Sequence, residues 1–529
     1  MVLLMWISRG TVAGKNYYVG IFSKSDVSYC LISPEDVKNL TLMGGDTIFL
    51  SAISPIVGSI VLKNVVPVEG CVVITSYDTA PARIDAAGEA EGILLENCSN
   101  ILVSNISISA NGRGDKKKLD DPAVSKKMRC GILVQATTPG TYSNIQLSNI
   151  TISDIFFEEP GFIRDANEVR TANGTQAYGW GIRFINSLED AHLNRIRVSG
   201  CHINNVSHTG IKFSGKKENI KEIEVCYNKV TYAGGPGMQM SGVAGAHIHH
   251  NTIDHSGAAD DTRKWGRGSG YWCWGSRDIV LEHNNLLNAN GPGDSSGAHI
   301  DYNCSDIIYQ YNFSANNAGG FCEILGNNHN CVYRYNISVN DGWRKKDENG
   351  AFHEGKVLWM SGYIGEKRRH GPYNSYVYNN TICVTDYEDV RIAIGNTTNG
   401  LLLANNIFYF KKSYPVLGDQ FNPEKKQKGV MARNITFQNN LFLQKETWNE
   451  QIPIQGTGCS FGNPEFTNIQ GKTPIEFTPR NRQLIENKGM VIQKLPTDTI
   501  GVRRGLSVTH DILGNPIKDN PDMGAIELK

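Results

Sequence analysis

An internal repeat of about 22–30 residues runs through most of this chain. Each unit opens with a glycine and a short apolar strand, turns, and continues with a second alternating strand, an Asn and a third short strand. Residues 297–319, GAHIDYNCSDIIYQYNFSANNAG, show the pattern. Apolar residues alternate with a period of two, so no unit contains an amphipathic helix. Because one unit cannot bury its own apolar side chains, the units must stack and share a core.

Three short strands per unit predict one coil of a parallel β-helix, so the predicted fold class is all-β. The frequent Asn residues at the bends fit this fold, because Asn tolerates the left-handed backbone region and can stack in ladders. Leucine-rich repeats are disfavoured because their consensus and helical half are absent. Propeller blades require longer units of four antiparallel strands.

The repeat divides the chain into segments. We predict an N-terminal cap and first coils over residues 16–77, the β-helix over 78–450, and an irregular C-terminal cap over 451–529. Residues 1–15 are either the remnant of a clipped export signal or extra residues from a misplaced start. Insertions interrupt the coils, and in a solenoid they tend to wall the binding face. They cover 111–129, 158–180, 257–268 and 343–354.

Composition excludes several functional classes. Lys plus Arg and Asp plus Glu both total 52, which argues against a generally basic nucleic-acid binder. No apolar run reaches the roughly 18 residues of a membrane span. The 12 Cys residues include no CxxC pair, so we expect small buried side chains rather than zinc ligands or a disulfide framework. We expect no metal and no cofactor, and the oligomeric state stays open.

The first strand of each unit sets a register in which alternate residues point outward. The outward residues of the early coils include Arg183, Lys212 and Gln239. The middle coils concentrate chemically distinctive side chains on the same face, namely Trp272, Trp274, His299, Asp301, Phe321 and Glu323. This concentration favours a binding cleft, although a solvated face and a secondary core beneath an insertion are the alternatives.

Asp301 and Glu323 fall at matching places in this register, one coil apart. Adjacent strands are about 4.8 Å apart, so we expect their carboxyl groups roughly 5 Å apart, near the spacing of retaining glycosidases. Two such charges resist joint ionisation, and one pKa should be raised. Asp294, in the segment GPGDSSG, is either a turn residue or an acid at the rim of the cleft.

The neighbouring side chains predict carbohydrate binding. Trp272 and Trp274 offer flat apolar surfaces for sugar rings, and His299 could bond a hydroxyl group or orient a carboxylate. Arg183 and Lys212 either pair with the carboxylates, bind an acidic sugar, or are plain surface charges.

These residues resemble the right-handed parallel β-helix enzymes that act on carbohydrates. Residues 297–339 resemble the catalytic coils of β-helical glycoside hydrolases, and residues 42–50 and 514–527 resemble the ends of such bacterial proteins. The β-helical β-xylosidase family implies Asp301 as nucleophile and Glu323 as acid/base. The lacto-N-biosidase family, with two Asp a few residues apart, implies Asp294 and Asp301. The resemblance also implies a periplasmic or secreted protein.

Three functions follow as hypotheses. The first is a glycoside hydrolase that cleaves a poly- or oligosaccharide by a two-carboxylate, retaining mechanism. The second is a polysaccharide lyase acting on a uronate, with Lys212 or Arg183 as base. The third is a non-catalytic carbohydrate-binding solenoid, for which the Trp pair suffices.

Overall fold

The computed structural model describes most of the chain in two compact units. One contains the residues up to Ala246 and Gly257–Gly266, and the other contains His247–Ser256 and Arg267–Lys529. Most of the segment predicted as a signal remnant, and most of the first three insertions, lie outside the described residues. These are 14–22, 31–86, 88–111, 130–156, 179–258, 267–348, 350–351, 353–365, 367–388, 390–411, 413–417, 432–445 and 456–529.

The first strand of each coil pairs in parallel with the first strand of the next coil, because the repeat returns equivalent residues to one face. In the N-terminal unit these strands are Ile60–Lys63, Glu91–Glu96, Cys130–Ala136, Trp180–Asn186, Ile211–Ser214 and Met238–Ser241. In the C-terminal unit they are Tyr271–Trp274, Ser296–Ile300, Gly320–Ile324, Lys356–Met360, Val390–Ile394 and Ser413–Leu417.

The second strands follow a turn after the first. They are Thr47–Leu50, Val72–Ser76, Ala191–Ser199, Ile220–Cys226, Val243–His249, Arg277–Glu282, Ser305–Gln310, Val332–Arg334, Tyr373–Tyr378, Asn399–Ala404, Arg433–Gln438 and Gly456–Thr457. Two long strands, Ile101–Asn111 and Gly140–Phe156, combine the second and third positions. Before these coils, Asn16–Val19 pairs with Leu31–Ile32 and with Thr47–Leu50.

The third strands complete each coil. They are Ile56–Val57, Ala82–Asp85, His202–Val206, Lys229–Ala233, Thr252–Asp254, Asn285–Leu287, Phe313–Ala315, Ile337–Val339, Thr381–Val384, Ile407–Phe410, Leu441–Phe442 and Ser460–Phe461. Helix is confined to the 3-10 turns Pro34–Asn39 and Pro474–Phe477 and the short helix Arg482–Ile485 among the described residues. The predicted all-β, parallel β-helical class is confirmed.

A ladder of asparagines runs inside the C-terminal unit, as the sequence predicted for this residue type. Seven of the described asparagines, each at most 3% exposed, occupy equivalent places: Asn251, Asn284, Asn312, Asn336, Asn380, Asn406 and Asn440. The Oδ1 of Asn336 accepts both the backbone N–H and the Nδ2 of Asn312, at 2.9 and 3.0 Å. Its own Nδ2 donates to the carbonyl of Tyr309 at 2.9 Å. The ladder therefore satisfies backbone groups at the bend of each coil.

Replacing Asn336 by Leu should strongly destabilise the C-terminal unit. The change strands both buried Asn312 donors, each at a cost of roughly 1–3 kcal/mol, so we expect a loss of several kcal/mol in the free energy of unfolding. Urea unfolding followed by circular dichroism measures it. The matched control is Asn285→Leu, because Asn285 is exposed in a third strand of the same unit. Equal stability of the two variants would contradict a structural role for the ladder.

The C-terminal segment packs along the third strands of several coils rather than on one coil alone. Its buried side chains include Phe466, Phe477, Ile485, Ile512, Met523 and Leu528, which cluster with Phe313, Ile337, Cys383, Ile407 and Leu441. The boundaries assigned to the two caps from sequence remain predictions. Within the described part of the chain, no helix is long and apolar enough to cross a membrane. No disulfide joins two of the described cysteines, and all of them except the partly exposed Cys459 are buried.

Candidate active site

Four outward side chains of the first strands form one ladder in the C-terminal unit. Trp272 lies opposite His299, His299 opposite Glu323, and Glu323 opposite Trp359. The Trp272 and His299 rings stack, with centroids 5.6 Å apart. Trp272, His299 and Glu323 are at most 4% exposed. The sequence analysis missed Trp359, although extending its own alternation by one coil to the strand KVLWM would have found it.

The predicted register between Asp301 and Glu323 is wrong. The strand pairing places Glu323 opposite His299, a separation of 24 residues instead of the predicted 22. The prediction of 22 residues assumes that the next unit begins at Gly319, matched to Gly297, whereas in the structure Gly320 pairs with Ser296. A shift of two residues leaves the alternation intact, so Cys322 and Ile324 still face the core as predicted.

Asp301 follows directly after the strand Ser296–Ile300 and is held at two points. Its backbone N–H donates to the carbonyl of Cys273 at 2.9 Å, and its Oδ1 accepts the N–H of Tyr302 at 2.9 Å. Burial of the carboxyl group raises the pKa of Asp301 to about 7, an effect that His299 opposes and the charge of Asp294 reinforces. Asp301 is therefore a fixed carboxyl group whose proton exchanges near neutral pH.

Asp294 lies in the tight turn just before the same strand, with φ at +39°. Its backbone N–H donates to Nε2 of His353 at 3.1 Å, and Nη2 of Arg344 lies 2.8 Å from Nδ1 of the same ring. Arg344, 4% exposed, also donates to the carbonyl of Gly291 at 2.9 Å, at the start of the turn. The insertion predicted over residues 343–354 thus supports the turn that carries Asp294.

Glycine is required where the next coil passes this turn. A Cβ on Gly319 would lie 1.7 Å from the backbone carbonyl oxygen of Asp294, far inside van der Waals contact. The close approach lets the N–H of Gly319 donate to the carbonyl of Ser295 at 2.8 Å. Gly319 therefore allows the Asp294 turn to pack directly against the following coil.

Glu323 combines burial with an unused hydrogen-bonding atom. Its Oε2 accepts the hydroxyl of Ser296 at 2.9 Å, and Nδ1 of His299 lies 3.9 Å from the same oxygen. Its Oε1 has no hydrogen-bond partner among the described residues, and neither does Nε1 of Trp272. Buried polar atoms without partners are rare, so these two are suited to meet the hydroxyl groups of a bound ligand.

The Asp294 charge affects the pKa values of both other acids in the site. Burial raises the pKa of Glu323, and the Asp294 charge raises it further, while Lys356 and Arg344 act in the opposite direction. Burial lowers the pKa of His299, so its ring is neutral near pH 7. Since Asp294 acts on both Asp301 and Glu323, it is the shared electrostatic neighbour of these two acids.

Buried acids with raised pKa values make the stability of this unit depend on pH. A raised pKa favours folding while the carboxyl group keeps its proton, and the benefit is lost as pH rises through the folded-state pKa. We therefore expect the free energy of unfolding to fall between pH 5 and pH 9. Glu323→Gln, neutral at every pH, should make this decline shallower, as measured by urea titrations across that range. The control Glu348→Gln, at an exposed position, should keep the wild-type slope, and a wild-type slope in Glu323→Gln would contradict the protonated state.

Aromatic residues line the turn beside Asp301. Trp274 is 38% exposed and Tyr363 is 37% exposed, and the ring of Tyr302 lies between them, 5.7 Å from Trp274 and 6.0 Å from Tyr363. We call these three residues the aromatic shelf. Trp274 faces outward as predicted. Trp272, predicted to form the sugar-binding surface with it, is buried, and the Arg267 guanidinium lies 5.5 Å from its ring centre.

Phe321 was predicted as a binding residue, and the structure places it in the packed interior instead. It is 3% exposed and its ring contacts the buried ring of Tyr333 edge-on at 5.6 Å. Phe321 is the second residue of its strand, next to Gly320, where the chain turns into the sheet with φ at +147°. The outward alternation therefore begins only at Glu323.

The remaining predicted binding residues belong to the N-terminal unit. Arg183 lies opposite Lys212, and Lys212 lies opposite Gln239, as the register predicted. The Arg183 guanidinium lies 4.3 Å from the ring centre of Trp180, and burial lowers its pKa. Gln239 is 7% exposed. A binding role for these three residues remains a prediction.

Comparisons with known proteins agree with this architecture. The family model described as a right handed beta helix region matches residues 180–362. Together with the parallel pairing, it supports the right-handed form of the fold. The lacto-N-biosidase of Bifidobacterium longum subsp. longum is 24% identical, over 82% of this chain and 29% of that protein. The chain thus spans less than a third of the length of this curated relative.

Two solved structures share the fold. The GH136 lacto-N-biosidase from Eubacterium ramulus has a TM-score of 0.55 at 20% identity, covering 76% of this chain and 68% of that one. XylC, solved as a complex with xylose, has a TM-score of 0.51 at 10% identity and covers 97% and 98%. The resemblance to β-helical glycoside hydrolases drawn from the sequence is therefore confirmed as a similarity, and at these identities the structures inform the fold alone.

Proposed function

We propose that this chain is a glycoside hydrolase that uses Asp294 and Asp301 as its reacting pair. The observation that carries the proposal is the arrangement around Asp294: its charge acts on both Asp301 and Glu323, beside a neutral His299. Glycosidic cleavage with retention uses two carboxyl groups, one as nucleophile and one as acid/base. The similarity to a curated lacto-N-biosidase supports the same class of reaction.

Asp301 is the proposed nucleophile. Its Oδ1 is fixed by the N–H of Tyr302, a bond that favours the ionised form and leaves the second oxygen for attack on the anomeric carbon. Attack forms a covalent glycosyl–enzyme intermediate, and the glycosidic bond to the leaving sugar breaks. Burial raises the pKa of Asp301 to about 7, so the ionised form that attacks becomes populated as the pH rises through that value.

Asp294 is the proposed acid/base. Its partly exposed position in the turn lets it protonate the departing oxygen and then take a proton from the water that releases the intermediate. His353 accepts the backbone N–H of Asp294, and Arg344 donates to the carbonyl of Gly291, so both contacts hold the backbone of the turn. Retention of anomeric configuration follows from these two displacements, the same outcome that the sequence predicted from the spacing of Asp301 and Glu323.

Glu323 takes a different role from the one first predicted. Since it lies opposite His299 and keeps a buried oxygen without a described partner, we propose that it binds a sugar hydroxyl group in its protonated state. Trp272 Nε1 would donate to the same sugar, and the aromatic shelf would receive the adjoining residue of the glycan. An oligosaccharide is the corresponding substrate class.

The test is product analysis on a panel of oligosaccharides and aryl glycosides, with the first-formed anomer followed by NMR. Release of reducing sugar with retained configuration is the expected result. An initially inverted product would contradict a covalent intermediate on Asp301. Product absorbing in the ultraviolet would instead establish a lyase, and binding without any product would establish a carbohydrate-binding solenoid.

A further inference from the structure

A second concave site lies on the C-terminal unit, in the turns that follow the first strands of later coils. The cavity has a volume of about 440 Å³ and its lining comes from residues 368–373, 396–399 and 433. These segments lie just before or at the start of the second strands Tyr373–Tyr378, Asn399–Ala404 and Arg433–Gln438. Trp274 and Asp301 occupy the equivalent turns of earlier coils, so the cavity continues the same column of turns.

The lining is strongly basic. Arg368, Arg369 and Arg433 all line the cavity, together with His370, and none of the described lining residues is acidic. The whole chain carries 52 basic and 52 acidic residues, so this concentration is a local departure from a neutral protein. Three guanidinium groups around one concavity favour an anion, because arginine matches the geometry of carboxylate and sulfate oxygens.

Polar groups of the lining add neutral hydrogen-bonding capacity. Thr398 is 1% exposed, and its hydroxyl has no hydrogen-bond partner among the described residues. Nδ1 of His370 lies 3.3 Å from the hydroxyl of Tyr373. The hydroxyl of Thr397 donates to the carbonyl of Gly371 at 2.8 Å, which ties two turns of the lining together. The turns that carry the basic groups are therefore held together by hydrogen bonds.

Contacts connect this cavity to the proposed active site. The Arg369 guanidinium lies 5.6 Å from the ring centre of Tyr363, and its Nη1 donates to the hydroxyl of Ser361 at 3.3 Å. Tyr363 is the last member of the aromatic shelf, and Tyr302 at the middle of the shelf follows Asp301 in the chain. A glycan lying on the shelf would thus meet the basic cavity at the far end from Trp274.

We propose that this basic cavity binds an anionic substituent, a sulfate ester or a carboxylate, on the glycan that the shelf receives. The link to hydrolysis rests on the proposed function, whereas the binding of the anion does not. The substrate class is accordingly an acidic oligosaccharide whose charged sugar lies at the Tyr363 end of the aromatic shelf, away from the bond that is cleaved.

The test measures binding in an Asp301→Asn background, so that hydrolysis does not interfere. Calorimetry compares three probes of equal length: tetragalacturonate, a κ-carrageenan tetrasaccharide and neutral galactotetraose. We expect at least one anionic probe to bind at least tenfold more tightly than the neutral one, and the difference to shrink at high salt. A preference for κ-carrageenan identifies a sulfate ester, and a preference for tetragalacturonate identifies a carboxylate.

The variant Arg368→Gln/Arg433→Gln should lose at least tenfold in affinity for the preferred anionic probe and keep its affinity for galactotetraose. The matched control is Arg83→Gln/Arg195→Gln, which removes two exposed arginines of the N-terminal unit and should bind like the parent. Equal binding of all three probes, or equal losses in both double variants, would overturn the proposal. Anion binding in a protein without hydrolytic activity would refute the proposed function and leave the cavity assignment standing.

Discussion

Asp301→Asn is expected to lower kcat/KM by at least about 10³-fold while leaving the fold intact. The amide keeps the size of the side chain and can still accept the Tyr302 N–H, but it cannot form the covalent bond to the sugar. Steady-state kinetics on an aryl glycoside measure the loss, and thermal unfolding confirms that the variant is folded. Added azide should restore turnover in Asp301→Ala by direct attack, with a glycosyl azide of inverted configuration as product.

Two further variants test whether the loss of activity is specific to Asp301. Glu323→Gln should retain more activity than Asp301→Asn, because the proposed Glu323 binds substrate in its protonated state and does not react. Asp306→Asn, a change at a partly exposed position in the same coil, should be indistinguishable from wild type. If Glu323→Gln lost as much activity as Asp301→Asn and Asp294 variants did not, the pair first predicted from sequence would be the reacting pair after all.

Asp294→Ala should separate the two steps of the reaction. With an unactivated oligosaccharide, loss of the acid is expected to lower kcat/KM by about 10²–10⁴-fold. With an activated leaving group such as dinitrophenol, formation of the intermediate needs no acid, so its first turnover should remain fast and a burst should precede a slow steady state. Azide should accelerate that steady state and give a glycosyl azide of retained configuration, the opposite outcome to that for Asp301→Ala.

Asp294→Ala also tests the effect of the Asp294 charge on the pKa of Asp301. The Asp294 charge raises the pKa of Asp301, so removing it should lower that pKa. The acidic limb of kcat/KM for the activated substrate should therefore move to lower pH in Asp294→Ala. The matched change His353→Gln leaves the carboxyl group in place but weakens the contact with the Asp294 N–H. It should reduce kcat with the acidic limb unchanged, and a shift of that limb in His353→Gln would contradict the separation of roles.

The fold could be predicted from the sequence because the same structural unit repeats along the chain. Alternation with a period of two, glycines at the start of each unit and Asn at each bend recur in many coils, so an error in one coil does not affect the inference. The interior Asn ladder and the parallel pairing of first strands follow from that recurrence. The outward positions of Trp272, His299, Asp301 and Glu323 follow from the same alternation.

The geometry of the site could not be predicted in the same way, because it depends on residues that depart from the repeat. A two-residue shift at Gly319–Gly320 places Glu323 opposite His299 instead of Asp301. At this point the Asp294 carbonyl approaches Gly319 so closely that a Cβ is excluded. Arg344 and His353 come from an insertion with no counterpart in other coils. Their contacts with the Asp294 turn join residues 53 and 59 positions apart.

Local sequence therefore determined which residues face outward in the regular part of a strand, where side chains alternate between the two faces. Phe321, beside Gly320 at the start of its strand, did not follow this alternation. Which acids face one another, and which are buried enough to keep a proton, was decided by the tertiary structure alone. Both properties depend on how neighbouring coils and their insertions pack, because desolvation and charge interactions are sums over residues distant in the chain.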